Sequence, residues 1–89
     1  MAANTSPRIV GVFKALSEPN RIRILLQLRN GELCACKLPE RIGLTQPAVS
    51  LHLKVLLKAG LVQVRLEGSN RMYSLSTLGR RVLSETSKW

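Results

Sequence analysis

Two thiols one residue apart, Cys34 and Cys36, are the only cysteines in the chain. In a protein of a reducing compartment, such a pair points to soft-ion binding or redox chemistry more than to a structural cross-link. Spaced this closely, the two are poor partners for a structural disulfide. The plain alternative is a pair of small buried hydrophobes. No other grouping suggests catalysis. The chain has five glutamates, no aspartate and a single histidine, His52. No paired carboxylates and no nucleophile beside a base are evident, so an enzyme is not expected.

The second kind of chemistry is cationic. Fourteen Lys and Arg against five acidic residues give a net charge of +9. That balance favours a polyanionic partner, with nucleic acid the first candidate and an anionic membrane surface the second. The longest apolar runs fall far short of the roughly 20 residues needed to span a bilayer. No signal peptide is visible at the start. A cytoplasmic protein without membrane association is therefore expected.

The stretch that could present those cations is 44–60, LTQPAVSLHLKVLLKAG. It reads as one helix. Thr45 caps its start, because a threonine oxygen accepts an orphan amide of the first turn. Pro47 falls within that turn, where a missing N–H is tolerated. Gly60 supplies the left-handed residue that ends it. At about 100° per residue, Val49, Leu53 and Leu56 share one side, with Leu57 at its edge. Leu51, Lys54 and Lys58 face the other way, with Ser50 beside them. A short helix with an apolar back and a small, hydroxylated, cationic front fits a DNA major groove. An ordinary amphipathic surface helix is the plain alternative.

The remaining elements must position that helix. Eighty-nine residues make one domain. A chain this small buries only about 60% of its unfolded surface. Its core is aliphatic, since 45% of residues are hydrophobic but only Phe13, Tyr73 and Trp89 are aromatic. Stability from a second subunit is expected. Residues 1–6 are small and polar and should fray. Residues 7–16 form a first helix, with Ile9, Val10, Phe13 and Leu16 at helical spacing on a face generous enough to meet a partner. Ser17-Glu18-Pro19-Asn20 is helix-start punctuation. The second helix runs to about residue 30, with Ile22, Ile24, Leu25, Leu26 and Leu28 making it central to the core. Arg21, Arg23 and Arg29 occupy what remains of its circumference. Residues 32–37, ELCACK, are too few to classify by period. Residues 38–42 form a short helix closed by Gly43. Two helices joined by a short glycine-containing turn, the second basic in front, is the helix-turn-helix pattern.

After Gly60 the period changes. Val62, Val64 and Leu66 alternate with Gln63, Arg65 and Glu67, as in a half-buried strand. Gly68-Ser69-Asn70 is turn chemistry, and 71–75 returns with Tyr73 and Leu75 on one face. This hairpin carries Arg65 and Arg71 near its tip, placed to lay cations along phosphates or in a minor groove, as a wing does. Ser76 or Thr77 caps a last helix in which Leu78, Val82 and Trp89 form a loose stripe. The expected fold is α+β, mainly α: a winged helix-turn-helix of about five helices with a two-stranded hairpin wing. The helix-turn-helix occupies about 37–60 and the wing about 61–76. Helices at about 7–16 and 77–88 are left for dimerisation.

The segments ALSEPNRIRILLQL, GELCACKL, GLTQPAVSLHLKVLLKAGLV and EGSNRMYSL stand in this order. Across residues 15–75 the chain thereby resembles the ArsR/SmtB family of metal- and metalloid-responsive repressors. The resemblance implies a homodimer that binds double-stranded operator DNA at an imperfect inverted repeat and releases it when a metal or metalloid binds. By position, it places Thr45, Gln46, Ser50, Leu51 and His52 at the reading end of the helix. It places Ser69, Asn70 and Arg71 of the wing on the backbone or minor groove, and Lys54 and Lys58 fit phosphate contacts. Leu51 stands where many relatives have arginine and could meet only a thymine methyl. His52 lies about 60° from Val49, toward the packed side, so a half-buried, hydrogen-bonded histidine is as compatible with the wheel as a base contact.

ELCAC is similar to the thiolate effector site of arsenite-sensing members, so Cys34 and Cys36 are the implied ligands of As(III), Sb(III) or another soft ion; no obligatory cofactor is implied. A third cysteine often follows three residues later in such members; here that position is Pro39. On a continuous helix, residues two apart point about 200° apart and could not share a small ion. Pro39 disfavours helical backbone at Leu38 and belongs near a helix start. Both cysteines are therefore expected ahead of the helix, where both thiolates could turn to one ion. The family's other metal site, on the last helix, needs Asp and His and is not expected here. Two rivals remain. One keeps DNA binding but makes the cysteines a redox switch, with Lys37 and Arg41 favouring thiolates. The other is a ligand-free adaptor that binds protein, with no salt-sensitive DNA affinity.

Overall fold

The computed structural model describes residues 6–89. The expectation of fraying at 1–6 falls, for residues 1–5, outside the described residues. Ser6 is ordered: its Oγ accepts the Ile9 amide at 3.1 Å and so caps α1 (Pro7–Leu16). The chain turns at Ser17 and enters α2 (Pro19–Gln27), where the Glu18 carboxylate accepts the Asn20 amide at 2.9 Å. The second helix does not run to residue 30 as a regular α-helix. It tightens into a 3-10 turn over Leu28–Asn30 before Gly31.

ELCACK, unclassifiable by period, becomes a two-residue strand β1 (Leu33–Cys34) and a 3-10 turn (Ala35–Lys37). The short helix α3 (Leu38–Ile42) follows, with Pro39 in its first turn. Gly43 closes it at φ +79°, a left-handed conformation that a Cβ would strain. Helix α4 (Gln46–Lys58) is next, then β2 (Val62–Glu67), β3 (Asn70–Leu75) and α5 (Thr77–Thr86).

The core lies where α2, α3, α4 and the base of the sheet meet. Ile24, Leu25, Leu38, Leu53, Leu56 and Leu61 are fully or almost fully buried. Burying one such side chain stabilises by about 1.5–3 kcal/mol before entropy is charged. The wheel drawn for 44–60 holds, since Val49, Leu53 and Leu56 are the buried residues of α4.

The hairpin pairs β2 with β3 in antiparallel register, and β1 adds a third strand, in the order β1-β3-β2. Burial along β2 departs from the expected alternation. Val62 is buried, but Val64 and Leu66 are exposed, Leu66 at 70%. The reason is geometric: β2 is the edge strand of the sheet, and the buried face of the hairpin is carried by Tyr73 and Leu75 of the central strand β3, so beyond Val62 the side chains of β2 stay open to solvent.

Two contacts lock the last helix to the end of α4. Ser76 Oγ accepts the Gly79 amide at 3.0 Å, capping α5, and donates to the Gly60 carbonyl at 2.6 Å. Gly79 lies directly against the Leu61 carbonyl, where any side chain would collide with backbone. The stripe of α5 differs from the expected one. Leu83 is buried, Leu78 and Val82 are half-buried, and Trp89 lies beyond the helix, 95% exposed. No helix among the described residues is long and apolar enough to cross a membrane.

Candidate nucleic-acid interface and its cysteine pair

Helix α4 begins on a side-chain cap: the Ala48 amide donates to Thr45 Oγ1 at 3.3 Å. Thr45, Gln46, Ser50, Leu51 and Lys54 are all exposed at this end or along this face, and Lys58 continues the face. The expected cationic front is therefore present and open. Its centre is apolar, because Leu51 is 62% exposed with no neighbour to cover it.

His52 is placed differently. Its Nε2 lies 3.0 Å from Glu18 Oε2, and its Nδ1 lies 3.4 Å from an Arg21 guanidinium nitrogen. Its side chain is 16% exposed. Arg21 in turn donates to the Ala15 carbonyl at 2.7 Å and the Lys14 carbonyl at 3.2 Å, the end of α1. His52 thus takes the packed, hydrogen-bonded position of the two that the wheel allowed. Arg23 is likewise structural, since it donates to the Ile42 carbonyl at 2.8 Å and closes α3 against α2. The sequence placed both arginines on the uncommitted face of α2; folding turns that face toward α1, α3 and α4.

The wing turns at Gly68, φ +63°, and exposes Ser69, Asn70 and Arg71 at its tip. The two wing arginines are not equivalent. Arg65 donates twice to Glu32, at 2.8 and 2.6 Å, and pairs with Glu67 at 2.9 Å. Glu32 first and Glu67 second hold its guanidinium above its ordinary value, so Arg65 is cationic but already answered. Arg71 has no carboxylate partner among the described residues.

Cys34 ends β1 in extended backbone, φ −65° and ψ 137°, and Cys36 lies in the following 3-10 turn. Both precede α3, as the position of Pro39 led one to expect. The view that cysteines so close make poor disulfide partners is corrected. The structure joins Cys34 to Cys36, with Cα atoms 5.1 Å apart. An extended residue followed at once by a tight turn sends both Cβ atoms to the same side, which a continuous helix could not do. Cys34 is buried and Cys36 is exposed, so the pair is reachable from one side.

Comparison with known proteins gives a consistent result. Residues 18–64 match the family model described as bacterial regulatory protein, arsR family. The chain is 45% identical over 65 residues to the arsenical resistance operon repressor of Staphylococcus xylosus, covering 73% of this chain and 62% of that one. It therefore spans less than two thirds of that relative. Among solved structures, HlyU from Vibrio cholerae superposes with a TM-score of 0.81 at 33% identity, over 96% of this chain and 92% of that one. The homodimeric winged helix-turn-helix DNA-binding domain Mb0332 from Mycobacterium bovis gives 0.83 at 26% identity, over 97% and 87%.

Proposed function

The chain belongs to the arsR family of bacterial regulatory proteins, which are DNA-binding regulators and not enzymes, and from that premise we propose a homodimeric repressor whose hold on operator DNA is set by Cys34 and Cys36. The observation that carries this reading is the convergence of the two sulfurs immediately before α3, the helix that buttresses α4. A thiophilic ion or metalloid such as As(III) bridging the reduced pair fixes the 3-10 turn. That biases α3 and, through it, the reading helix. Two thiolates suit such an ion better than Zn(II), which is bound by four ligands in its structural sites. The arsenical repressor of Staphylococcus xylosus supports the choice of As(III) as the first ion to test.

In the dimer, two copies of α4 enter successive major grooves about one helical turn apart, on an imperfect inverted repeat. Thr45, Gln46, Ser50 and Leu51 meet base edges or the adjoining backbone. Lys54, Lys58 and the wing residues Ser69, Asn70 and Arg71 meet phosphates. With six to ten phosphates contacted, affinity should fall by about three to five orders of magnitude between roughly 50 and 200 mM salt. A typical coupling of ~1–3 kcal/mol between effector and DNA is reciprocal, so DNA must weaken effector binding by the same factor.

A specific observation favours a second input at the same place: the disulfide between Cys34 and Cys36 makes oxidation a rival trigger to ion binding. The two are separated by titrating labelled upstream DNA with reduced protein, then adding arsenite or peroxide in parallel. Release by arsenite under reducing conditions supports ion sensing. Release by peroxide alone, reversed by a dithiol, supports the redox switch. Binding that ignores salt would contradict both and favour a protein-binding adaptor.

A further inference from the structure

Cys34 has a sulfur neighbour on its own sheet face. The register sets Cys34 directly opposite Met72 of β3, and Met72 directly opposite Arg65 of β2. Directly opposed residues of an antiparallel pair share a face, with Cβ atoms about 4.5–5.5 Å apart. Glu32, two residues before Cys34, falls on the same face by alternation. The side chains agree: Arg65 reaches from β2 across β3 to Glu32, at 2.6 and 2.8 Å, and so bridges over the Met72 position. Met72 is half-buried where its neighbour Arg71 is exposed. The register thus sets Met72 beside Cys34, which is itself bonded to Cys36, midway along the wing strand. Apart from Met1, Met72 is the only methionine in the chain.

The donor set has a chemical preference. Among the described residues no three His, Cys, Asp or Glu side chains group to hold a metal, and Glu32 is committed to Arg65. Hard and borderline ions therefore find too few donors. A neutral thioether beside two thiolates is a donor set for Cu(I), the soft monovalent ion that thiolate and thioether ligands select. Cu(I) on two thiolates carries a net charge of −1. Arg65 is already answered by Glu32 and Glu67, so Lys37, next to Cys36 in the chain and without a carboxylate partner among the described residues, is the cation left to offset it.

We propose that reduced Cys34, Cys36 and Met72 form a three-sulfur site for a soft monovalent ion of the Cu(I) class, with the wing strand supplying the third ligand. This rests on the reading that the cysteine pair is the regulator's input, and it makes β3 part of the effector site. Binding releases two thiol protons to solvent and changes no oxidation state. The disulfide must first be opened by a two-electron reductant, a dithiol or a phosphine.

The test uses the full chain, reduced with a phosphine, desalted under nitrogen and titrated with Cu(I) against a bicinchoninate chelator. Met72→Leu keeps the volume and removes the sulfur. It should weaken Cu(I) binding by about tenfold or more, at least the cost of losing an outer-shell partner. It should leave arsenite affinity unchanged. Met72→Cys should restore Cu(I) and tighten arsenite by about tenfold, a third thiolate being in reach. Cu(I) held equally by wild type and Met72→Leu, but lost in Cys34→Ser, would overturn the third ligand and leave the cysteine reading intact. Cu(I) and arsenite binding both unaffected by Cys34→Ser would overturn that reading too. Should thermal melting show Met72→Leu to be unfolded, Met72→Cys decides: unchanged arsenite affinity overturns the proposal and a gain supports it.

Discussion

Nε2 of His52 lies 3.0 Å from Oε2 of Glu18, so the reading helix is tied to the residue that caps α2. Glu18 Oε2 is shielded from solvent and accepts no aligned hydrogen bond, so its contact with His52 is electrostatic. Truncating His52→Ala removes the one polar group that faces that oxygen, at a cost of about 1–3 kcal/mol. Glu18 is 30% exposed, so water can approach and the lower end applies. His52→Gln keeps a donor and should lose less. Urea unfolding of the three proteins measures the order; equal midpoints would show the contact to be idle.

The wing arginines should separate cleanly. Arg65 is held by Glu32 and Glu67, whereas Arg71 has no carboxylate partner among the described residues. Arg71→Ala should weaken DNA binding uniformly across sequences and lower the salt slope by about 1 per subunit, about 2 for the dimer. Arg65→Ala should leave that slope close to wild type. Binding isotherms at several salt concentrations read both, and equal slopes for the two variants would contradict the assignment.

A groove of about 690 Å³ runs between α1, α2 and α5, with Phe13 68% exposed on its rim. This is the face on which a second copy should dock. Phe13→Glu places a charge there and should yield a monomer by sedimentation. Loss of the second reading helix should cost about a hundredfold or more in operator affinity, the usual scale of avidity. A dimeric Phe13→Glu variant with unchanged DNA affinity would move the interface elsewhere.

Gly79 sits against the Leu61 backbone carbonyl in the joint between α4 and α5. Gly79→Ala must push that joint open, an overpacking cost of about 1–3 kcal/mol. For a domain this size each kcal/mol lowers the melting temperature by about 4–8 °C. Calorimetry should show the drop; an unchanged melt would mean that α5 shifts freely.

Local chemistry made most of the fold legible. Helix ends at Thr45 and Gly43, and the turn at Gly68, follow from caps and glycines that act within a few residues, whereas the cap at Ser6 lies in a stretch whose small polar composition suggests fraying. The buried face of α4 followed from period alone. What period could not carry was long-range pairing. The contacts of Glu18 with His52, Arg23 with the Ile42 carbonyl and Glu32 with Arg65 join residues 19 or more apart, and no local signal marks them. The exposed half of β2 was missed for the same reason: alternation says which residues share a face, not whether anything packs on it. The disulfide is not legible from spacing because the strand breaks into a 3-10 turn between the two cysteines, and nothing in a one-residue separation announces that break.

The most direct measurement is fluorescence anisotropy of the reduced protein on its own upstream DNA, with and without arsenite. A thiolate sensor releases the DNA on adding arsenite, and both Cys34→Ser and Cys36→Ser bind DNA as wild type but no longer respond. Tight binding that arsenite leaves unchanged in the reduced wild type, or release that persists in both serine variants, would contradict a role for this cysteine pair in ion sensing.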